Sequence, residues 1–459
     1  MNMRLYNTMS LNVEEFVPIE AGRVKIYTCG PTVYNYAHIG NLRTYVSEDI
    51  LVRAFRFLGY EVSRAMNITD VGHLESDADE GEDKMLKGAR RERKTVWDIA
   101  DYYTEAFFRD MAKLNLETPD IVMRATDQIE DYIEFISVLE EKGYAYRAGG
   151  NVYYDVSKFP RYTELSRMPL ENLQHGTRGD VELDENKRNP YDFALWFTKS
   201  KFDEQEMKWD SPFGRGYPGW HLECSVIALK ALGERLDIHC GGVDHISTHH
   251  TNEIAQTESF TGQKWVNYWW HAEFLLTDDG KMSKSKGEFL SLSRLEELGY
   301  DPMVYKYFLL GSHYRRQLAF SDEGMDTAKT AYHKLKERTL ALAEPIETTA
   351  YIDEFKAALA DDLNTANALT LIYTVLKDDK LSSGEKRYII EQMETVLGLD
   401  LFVEPEIDVD TAKIERLIAE RNQAKQAKNW AEADRLRDEL QAMGISLMDS
   451  KEGTTWKLN

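Results

Sequence analysis

The sequence predicts an α/β protein: a Rossmann-type, doubly wound parallel sheet with an insertion, followed by an α-helical bundle and a small mixed α/β unit at the C-terminus. A β-rich run at 23–29 precedes a helical pattern at 38–58 and a second β-rich run, "YEVSRAMNIT". The same order returns at 236–276, where "LDIHCGG" is followed by a helical stretch and a buried strand at 265–276. Strand, helix and strand at this spacing form βαβ units with parallel strands. After residue 325 the patterns become helical.

At 459 residues the chain is too long for one hydrophobic core, so several domains are expected. We predict six segments: the first half of the sheet domain at 1–114, an insertion at 115–205, the second half of the sheet domain at 206–276, a lysine-rich loop with the segment after it at 277–324, the helical bundle at 325–402, and the small terminal unit at 403–459.

Local patterns predict the elements within these segments. Two charged helices are expected at about 95–113 and 126–142, and short strands follow them. The bundle contains a helical stretch, "IDEFKAALADDLNTANALTLIYTVL". In the terminal unit, "NWAEADRLRDELQAMG" predicts a helix with Asn429 as its N-cap and Gly444 just past its end. The last residues, "ISLMDSKEGTTWKL", predict a β-hairpin.

Composition excludes several classes of protein. A formal net charge of −23 argues against non-specific nucleic-acid binding, because a polyanion is repelled, although a local basic face can still bind one. The chain has no run of 18 apolar residues and begins without the apolar region of a signal peptide, so we expect a cytoplasmic protein with no membrane partner. Three scattered cysteines form no disulfide framework and fit a reducing compartment.

The stretch "HIGN" at 38–41 opens the first predicted helix, after a turn that contains Gly30. A helix N-terminus presents free N–H groups and partial positive charge, which suit a phosphate. His38 adds a further donor, and Gly40 lets a ligand approach the backbone closely. The alternative is that His38 only caps the helix.

A second lysine-rich stretch, "DDGKMSKSKGE" at 278–288, follows the strand predicted at 265–276. Lys281, Lys284 and Lys286 place positive charge at the carboxyl end of a strand, where doubly wound sheets bind ligands. A charged loop is usually only solvated surface. Met282 and Ser283 within this one distinguish it from a random run of lysine and serine and favour a ligand-binding role.

"HIGN" and "KMSKS" together resemble the two signature motifs of class I aminoacyl-tRNA synthetases, which clamp ATP while an amino-acid carboxylate attacks its α-phosphorus. The resemblance implies an enzyme in which cations neutralise the growing phosphate charge. It implies that Mg²⁺ accompanies ATP. The expected catalytic residues are His38, Asn41, Lys281 and Lys284. The expected ATP-binding residues are Gly30, His38, Gly40, Asn41 and Lys284. Asn41 replaces the histidine of the full motif, but its amide still donates hydrogen bonds, so we expect a quantitative effect.

Soft and borderline metal ligands occur in four separated stretches: Cys29, "GWHLEC", "DIHCGG" and "STHHTNEIAQ". In the last stretch, His249 and Glu253 are four residues apart and share a helix face, whereas His250 pairs with Ile254. Thiolates, imidazole and carboxylate together suit Zn²⁺. The alternative is that the cysteines are small buried apolar residues.

The motifs "CGPTVYN", "DFALW", "PGWHLECS", "HHTNEIAQ" and "KMSKS" together resemble the cysteinyl-tRNA synthetase family, bacterial type. The resemblance implies one Zn²⁺ per chain, with L-cysteine as the substrate. A zinc-bound thiol is a strong contact that serine cannot match, so no editing domain is needed. The implied zinc ligands are Cys29, Cys224, His249 and Glu253. Thr69, Trp220 and His239 are implied to line the cysteine pocket, the alternatives being a turn residue, a core aromatic and a satisfied buried histidine.

The C-terminal third resembles the anticodon-end bundle and terminal unit of the same family, which implies tRNA(Cys) as a partner and a monomer. From Lys413 to Arg437 there are seven Lys/Arg against four Asp/Glu, a local excess of positive charge. Trp430 either stacks on an unpaired base or belongs to a small core. Trp430 and Arg435 are therefore candidate tRNA contacts. A cysteine ligase with an amino-sugar acceptor, as in mycothiol synthesis, is the alternative function, and residues 325–459 disfavour it.

Overall fold

The computed structural model describes residues 2–71, 95–170, 185–199, 206–277, 280–281, 290–404, 411–443, 445–450 and 453–458. The chain forms two compact units, Met1–Phe402 and Val403–Asn459. None of the helices in the described ranges combines the length and the apolar composition that a membrane crossing requires.

The strands and helices follow in chain order. The strands are β1 (Arg4–Asn7), β2 (Asn12–Glu15), β3 (Arg23–Thr28), β4 (Glu61–Ile68), β5 (Ile121–Arg124), β6 (Ala145–Ala148), β7 (Asn151–Tyr154), β8 (Phe193–Phe197), β9 (Tyr217–Pro218), β10 (Leu236–Gly242), β11 (Val266–Ala272), β12 (Leu275–Thr277), β13 (Gly280–Lys281), β14 (Leu318–Ala319), β15 (Ile445–Ser450) and β16 (Gly453–Leu458). The helices are α1 (Ile39–Phe57), α2 (Val96–Lys113), α3 (Ile129–Glu141), α4 (Trp220–Leu232), α5 (His249–Thr261), α6 (Leu292–Glu297), α7 (Pro302–Leu310), α8 (Asp322–Leu340), α9 (Ile352–Ala360), α10 (Thr365–Lys377), α11 (Ser383–Leu397), α12 (Thr411–Gln426) and α13 (Trp430–Ala442).

A five-stranded parallel sheet with the order β11-β10-β3-β4-β5 forms the centre of the larger unit. The predicted βαβ unit is present as β3, α1 and β4, and "LDIHCGG" forms β10 over its whole length. The Rossmann-type fold class predicted from the sequence is therefore confirmed.

Two predicted elements differ in the structure. The strand predicted at 265–276 is two strands, β11 in the parallel sheet and β12 in a separate sheet of order β13-β12-β14. The helical stretch that begins at 352 is interrupted between α9 and α10, because Asp362 and Leu363 adopt positive φ angles and Asn364 caps α10. β5 lies within the predicted insertion at 115–205 and forms the edge strand of the parallel sheet.

Helix α1 has no broad solvent-facing side. Twelve of its 19 residues are buried, because it contacts the parallel sheet as well as α9, α11 and α7 from the helical region. Its two buried carboxylates are paired: Glu48 with Arg64 at 3.3 Å, and Asp49 with Arg53 at 2.7 Å. A helix enclosed in this way holds a fixed position, and its N-terminus faces the site described below.

The smaller unit, 403–459, packs α12 and α13 together and against the antiparallel hairpin β15–β16. Its core contains Ile414, Leu417, Leu436 and Leu440. The predicted N-cap is present, since the Asn429 side chain accepts a hydrogen bond from the backbone of α13. The predicted Gly444 lies outside the described residues.

Candidate active site and metal centre

The site lies where the chain connections of the parallel sheet diverge, between β3 and β10. From β3 the sheet continues through β4 and β5, and from β10 it continues in the opposite direction through β11. Such a divergence opens a crevice at the carboxyl ends of the strands, where doubly wound sheets bind ligands. Cys29 directly follows β3, and its N–H donates to the carbonyl of Cys240 in β10 at 3.4 Å.

Four side chains converge in this crevice. Cys29 comes from the end of β3, Cys224 from the second turn of α4, and His249 and Glu253 from the first turns of α5. Their ligand atoms all lie within 4.8 Å of one another, and all four residues are buried. His249 Nε2 lies 2.9 Å from Glu253 Oε1, as expected for residues four apart on one helix face. The structure thus brings together the four residues predicted as metal ligands.

The spacing of the two thiols tests whether these residues fit a zinc ion. The Sγ atoms of Cys29 and Cys224 are 3.9 Å apart, far beyond the disulfide bond length of about 2 Å. Two thiolates bound tetrahedrally at roughly 2.3 Å from zinc would lie about 3.8 Å apart. Two thiols, one imidazole and one carboxylate at this spacing fit Zn²⁺.

Burial and mutual interactions shift the pKa values of the four ligand candidates in different directions. Burial raises the pKa of Cys224, but the hydrogen bond with Cys29 and the charge of His249 bring that pKa down to about 6. Burial raises the pKa of the Cys29 thiol well above its usual value. Burial lowers the pKa of His249, whereas Glu253 raises it to about 10. Burial raises the pKa of Glu253, whereas His239 and His249 lower it to about 2. A divalent cation here would replace the protons held by Cys29 and His249.

Further histidines surround the four ligand candidates. His250 Nε2 lies 3.5 Å from Cys29 Sγ, and His250 Nδ1 lies 2.8 Å from His271 Nε2. Burial and the neighbouring histidines lower the pKa values of His250 and His271 well below the usual value. The ligand atoms of Cys29, His245, His249 and His250 also all lie within 4.8 Å of one another. Sequence reasoning missed this cluster, and the only local signal for it was the pair of histidines in "STHH".

Two of the predicted pocket residues contact the ligand candidates directly. The Trp220 ring stacks on the His249 ring, with 4.2 Å between centroids and 6° between planes. His239 Nε2 lies 2.9 Å from Glu253 Oε2. Trp220 is only half-buried, so it is not the core aromatic of the alternative interpretation. Each ring therefore contacts the side chain of a metal-ligand candidate.

The third predicted pocket residue, Thr69, lies just past β4 and is buried. Its hydroxyl donates to Glu223 Oε2 at 2.8 Å and accepts from Asn67 Nδ2 at 2.8 Å. Glu223 precedes Cys224 in α4, and burial raises the pKa of Glu223 well above its usual value. Sequence reasoning did not single out Asn67 or Glu223, because the contact that joins Thr69 to Glu223 spans 154 positions of the chain.

The predicted phosphate-binding stretch forms the N-terminus of α1. His38 is the N-cap, and its Nδ1 accepts a hydrogen bond from the Asn41 N–H at 3.0 Å. In a neutral imidazole this places the proton on Nε2. A Cβ at Gly40 would lie 3.0 Å from two atoms of the His38 ring, so glycine leaves the ring in place. His38 can therefore cap α1 through Nδ1 and still donate a hydrogen bond to a ligand through Nε2. The Asn41 side chain is exposed.

Gly30 joins the metal-ligand candidate Cys29 to the turn before α1. A Cβ at Gly30 would lie 1.6 Å from the carbonyl oxygen of Asn67, so no larger residue fits without a backbone shift. The Gly30 N–H also donates to the Asn67 side chain at 2.8 Å.

In the lysine-rich stretch, Lys281 ends β13, which pairs with β12. Lys284 lies outside the described residues.

The candidate tRNA contacts lie on α13 of the smaller unit. The Trp430 side chain is 61% exposed, which excludes the alternative that it belongs to the core. Arg435 is exposed, and its guanidinium pairs with Glu432 at 2.7 Å and with Glu439 at 3.0 Å.

The fold resembles solved structures of methionyl-tRNA synthetase from Mycobacterium tuberculosis. In one of them, bound by methionyl-adenylate, the likeness covers 90% of this chain and 96% of that one, with a TM-score of 0.54 and 16% identity. Residues 15–330 match the family model of the class I (C) tRNA synthetase catalytic domain. The fold and the site define a class I aminoacyl-tRNA synthetase.

Proteins with similar sequences identify the amino acid within this class. Residues 411–456 match the cysteinyl-tRNA ligase anticodon binding domain. The cysteine–tRNA ligases of Treponema denticola and Borrelia hermsii are 48% and 43% identical, with both chains covered completely in each case. Cysteine–tRNA ligase 1 of Burkholderia lata is 45% identical over 99% of this chain and 96% of its own. The chain belongs to the cysteine–tRNA ligase family, whose enzymes join cysteine to tRNA.

Proposed function

We propose that the enzyme activates L-cysteine with ATP as cysteinyl-adenylate, transfers the cysteinyl group to the 3′ end of tRNA(Cys), and recognises the substrate thiol at a zinc site. The observation that carries this proposal is the group of four ligand atoms within 4.8 Å of one another in the crevice of the parallel sheet. We further propose that the enzyme works as a monomer with one zinc ion per chain.

The proposed zinc ligands are Cys29, Cys224, His249 and Glu253. A bound zinc ion would supply a Lewis acid that prefers a thiolate to a hydroxyl group. The chain positions these ligands through the stacking of Trp220 on the His249 ring and the contact of His239 with Glu253. Such supporting contacts fix the orientation of ligand side chains. We assign Trp220 and His239 to the cysteine pocket on this basis, and Thr69 because its hydroxyl donates to Glu223, the neighbour of Cys224.

The proposed ATP site lies at the N-terminus of α1, with Gly30, His38, Gly40 and Asn41. A carboxylate oxygen of cysteine attacks the α-phosphorus of ATP, the bond to the β-phosphate oxygen breaks, and pyrophosphate leaves. The positive end of the α1 helix dipole and the Nε2–H of His38 stabilise the developing negative charge. We propose that Lys281 and Lys284 neutralise the departing pyrophosphate and that Mg²⁺ binds with ATP. The terminal hydroxyl of the tRNA then attacks the acyl carbon, and AMP leaves.

Exchange of labelled pyrophosphate into ATP tests the activation step. We expect exchange that depends on cysteine, is lost when zinc is removed by a chelator, and returns when zinc is added back. Serine in place of cysteine is the control substrate, and equal exchange with serine would contradict recognition of the thiol. Charging of a tRNA with the cysteine anticodon tests the second step. Activation without charging would favour the amino-sugar acceptor.

The proposed tRNA contacts are Trp430 and Arg435. We expect Trp430→Ala to raise the KM for tRNA about tenfold, because stacking of a base on an aromatic ring is worth roughly 1–3 kcal/mol. Pyrophosphate exchange without tRNA should not change, and an exposed side chain contributes little to folding. The measurement is steady-state charging with tRNA as the varied substrate.

Met448→Ala is the matched control, since Met448 is an apolar side chain of the same unit and is 48% exposed. An unchanged KM for tRNA in Trp430→Ala, or an equal change in both variants, would contradict a specific stacking contact.

A further inference from the structure

A buried arginine joins two parts of the proposed ATP site. Arg43 lies on α1, five residues after His38, and is 2% exposed. It forms no ion pair with any residue that the structure describes. Its Nη1 donates instead to the backbone carbonyls of Glu273, at 3.0 Å, and Phe274. Its Nη2 donates to the carbonyl of Arg316 at 2.5 Å, with a longer contact of 3.4 Å to that of His313.

These carbonyls belong to two chain segments that carry one small sheet. Glu273 and Phe274 connect β11 to β12, and the residues 313–316 precede β14. β12 pairs with β14 on one side and with β13, which contains Lys281, on the other. The Arg43 guanidinium therefore binds both the segment that leads into β12 and the segment that leads into β14.

Residues 290 and 291 make further contacts with the start of α1. The Ile39 N–H donates to the Leu290 carbonyl at 2.8 Å, and His38 forms a β-bridge with Ser291. The Tyr305 hydroxyl donates to the Ile39 carbonyl at 2.7 Å. Residues 290 and 291, like the segments 273–274 and 313–316, are thus anchored to the first turns of α1 or to its N-cap.

A buried guanidinium that binds backbone carbonyls is unusual for a residue that only fills space. Burial of an unpaired charge is unfavourable unless hydrogen bonds replace its water. Backbone carbonyls provide those bonds here, and their directions match the planar, forked guanidinium. An apolar side chain would fill this volume without desolvating a charge, but it would not fix the direction of two separate segments.

We propose that Arg43 is a positioning residue of the nucleotide site: its guanidinium sets the sheet that carries Lys281 at a fixed place relative to His38 at the start of α1. This inference rests on the proposed function. Arg43 itself contacts no substrate and acts through the backbone that it binds. The zinc ligand candidates lie directly after β3 and on α4 and α5. Within the described residues, the hydrogen bonds of Arg43 go instead to the segments 273–274 and 313–316.

Arg43→Lys tests the proposal, because it keeps the charge and loses the fork that reaches two segments. We expect the kcat of cysteine-dependent pyrophosphate exchange to fall about 100-fold, as for a displacement of catalytic groups by about 1 Å. The KM for ATP should rise, while the KM for cysteine and the zinc content per chain stay at wild-type values. Thermal unfolding of the same preparation shows whether the variant is folded.

Arg53→Lys is the matched control, since Arg53 is a largely buried arginine on the same helix, bonded to Asp49 and remote from His38. We expect it to lower stability and leave exchange kinetics unchanged. Tyr305→Phe removes one anchor without removing a charge, and we expect a smaller fall in kcat with the same unchanged KM for cysteine. If Arg43→Lys does not fold, the kcat of Tyr305→Phe tests the proposal in its place.

Three results would overturn the proposal: unchanged kcat in folded Arg43→Lys, loss of zinc and of cysteine affinity together with kcat, or an equal effect in Arg53→Lys. If Arg43→Lys does not fold, unchanged kcat in Tyr305→Phe would overturn it. Failure of the proposed function looks different, because the wild-type enzyme itself would then show no cysteine-dependent exchange.

Discussion

Replacement of Cys224 by serine is expected to raise the KM for cysteine by at least about 100-fold and to leave the KM for ATP nearly unchanged. Loss of a residue that merely supports a metal ligand already costs roughly 10–100-fold in affinity or activity, and here a proposed ligand itself is lost. Cys224 lies on α4, whereas the proposed ATP site lies at α1, so the two constants should separate. Pyrophosphate exchange with each substrate varied in turn measures both, and metal analysis gives the zinc content.

Cys240→Ser is the matched control for this change. Cys240 is also a fully buried thiol, but it packs in the hydrophobic core on the other face of the sheet from Cys29 and Cys224. The same sulfur-to-oxygen change should therefore lower the free energy of unfolding without altering the KM for cysteine or the zinc content. A parallel rise of the KM values for cysteine and ATP in Cys224→Ser would show that Cys224 has a structural role only.

Replacement of His38 by asparagine is expected to lower the kcat of pyrophosphate exchange by about 100-fold or more. Removal of a single donor that stabilises developing charge costs roughly 10²–10³-fold in kcat. Asparagine is a good N-cap residue, so α1 should remain intact and the free energy of unfolding should change little. The KM for cysteine should also remain unchanged, because His38 caps α1, whereas the zinc ligand candidates lie after β3 and on α4 and α5.

His38→Ala separates the capping role from the chemical role. It removes the Nδ1 acceptor for the Asn41 N–H as well as the donor, and loss of an N-cap side chain costs about 1 kcal/mol of stability. We expect both variants to lose the same kcat, and only alanine to lower the free energy of unfolding. Wild-type kcat in His38→Asn would mean that His38 is a helix cap and nothing more.

Much of the fold was predictable, because its signals are local. A strand has a period of two and a helix a period of 3.6, so β3, α1, β4 and β10 are visible in short windows. The errors occurred where the backbone breaks a continuous pattern. The apolar run at 265–276 continues through Glu273 and Phe274, which leave β11 and begin a second sheet. The helical pattern after 352 continues through Asp362 and Leu363, whose positive φ angles end it.

The candidate site divides in the same way. The sequence by itself determined the Rossmann-type fold class, the pairing of His249 with Glu253 on one helix turn, and the placement of "HIGN" at a helix N-terminus, because backbone geometry sets these relations within a few residues. Only the tertiary structure decided which distant groups meet: Cys29 with Cys224, the histidines around His250, and the carbonyls that Arg43 binds. These contacts depend on how whole helices and strands pack, and no short window of sequence specifies that packing.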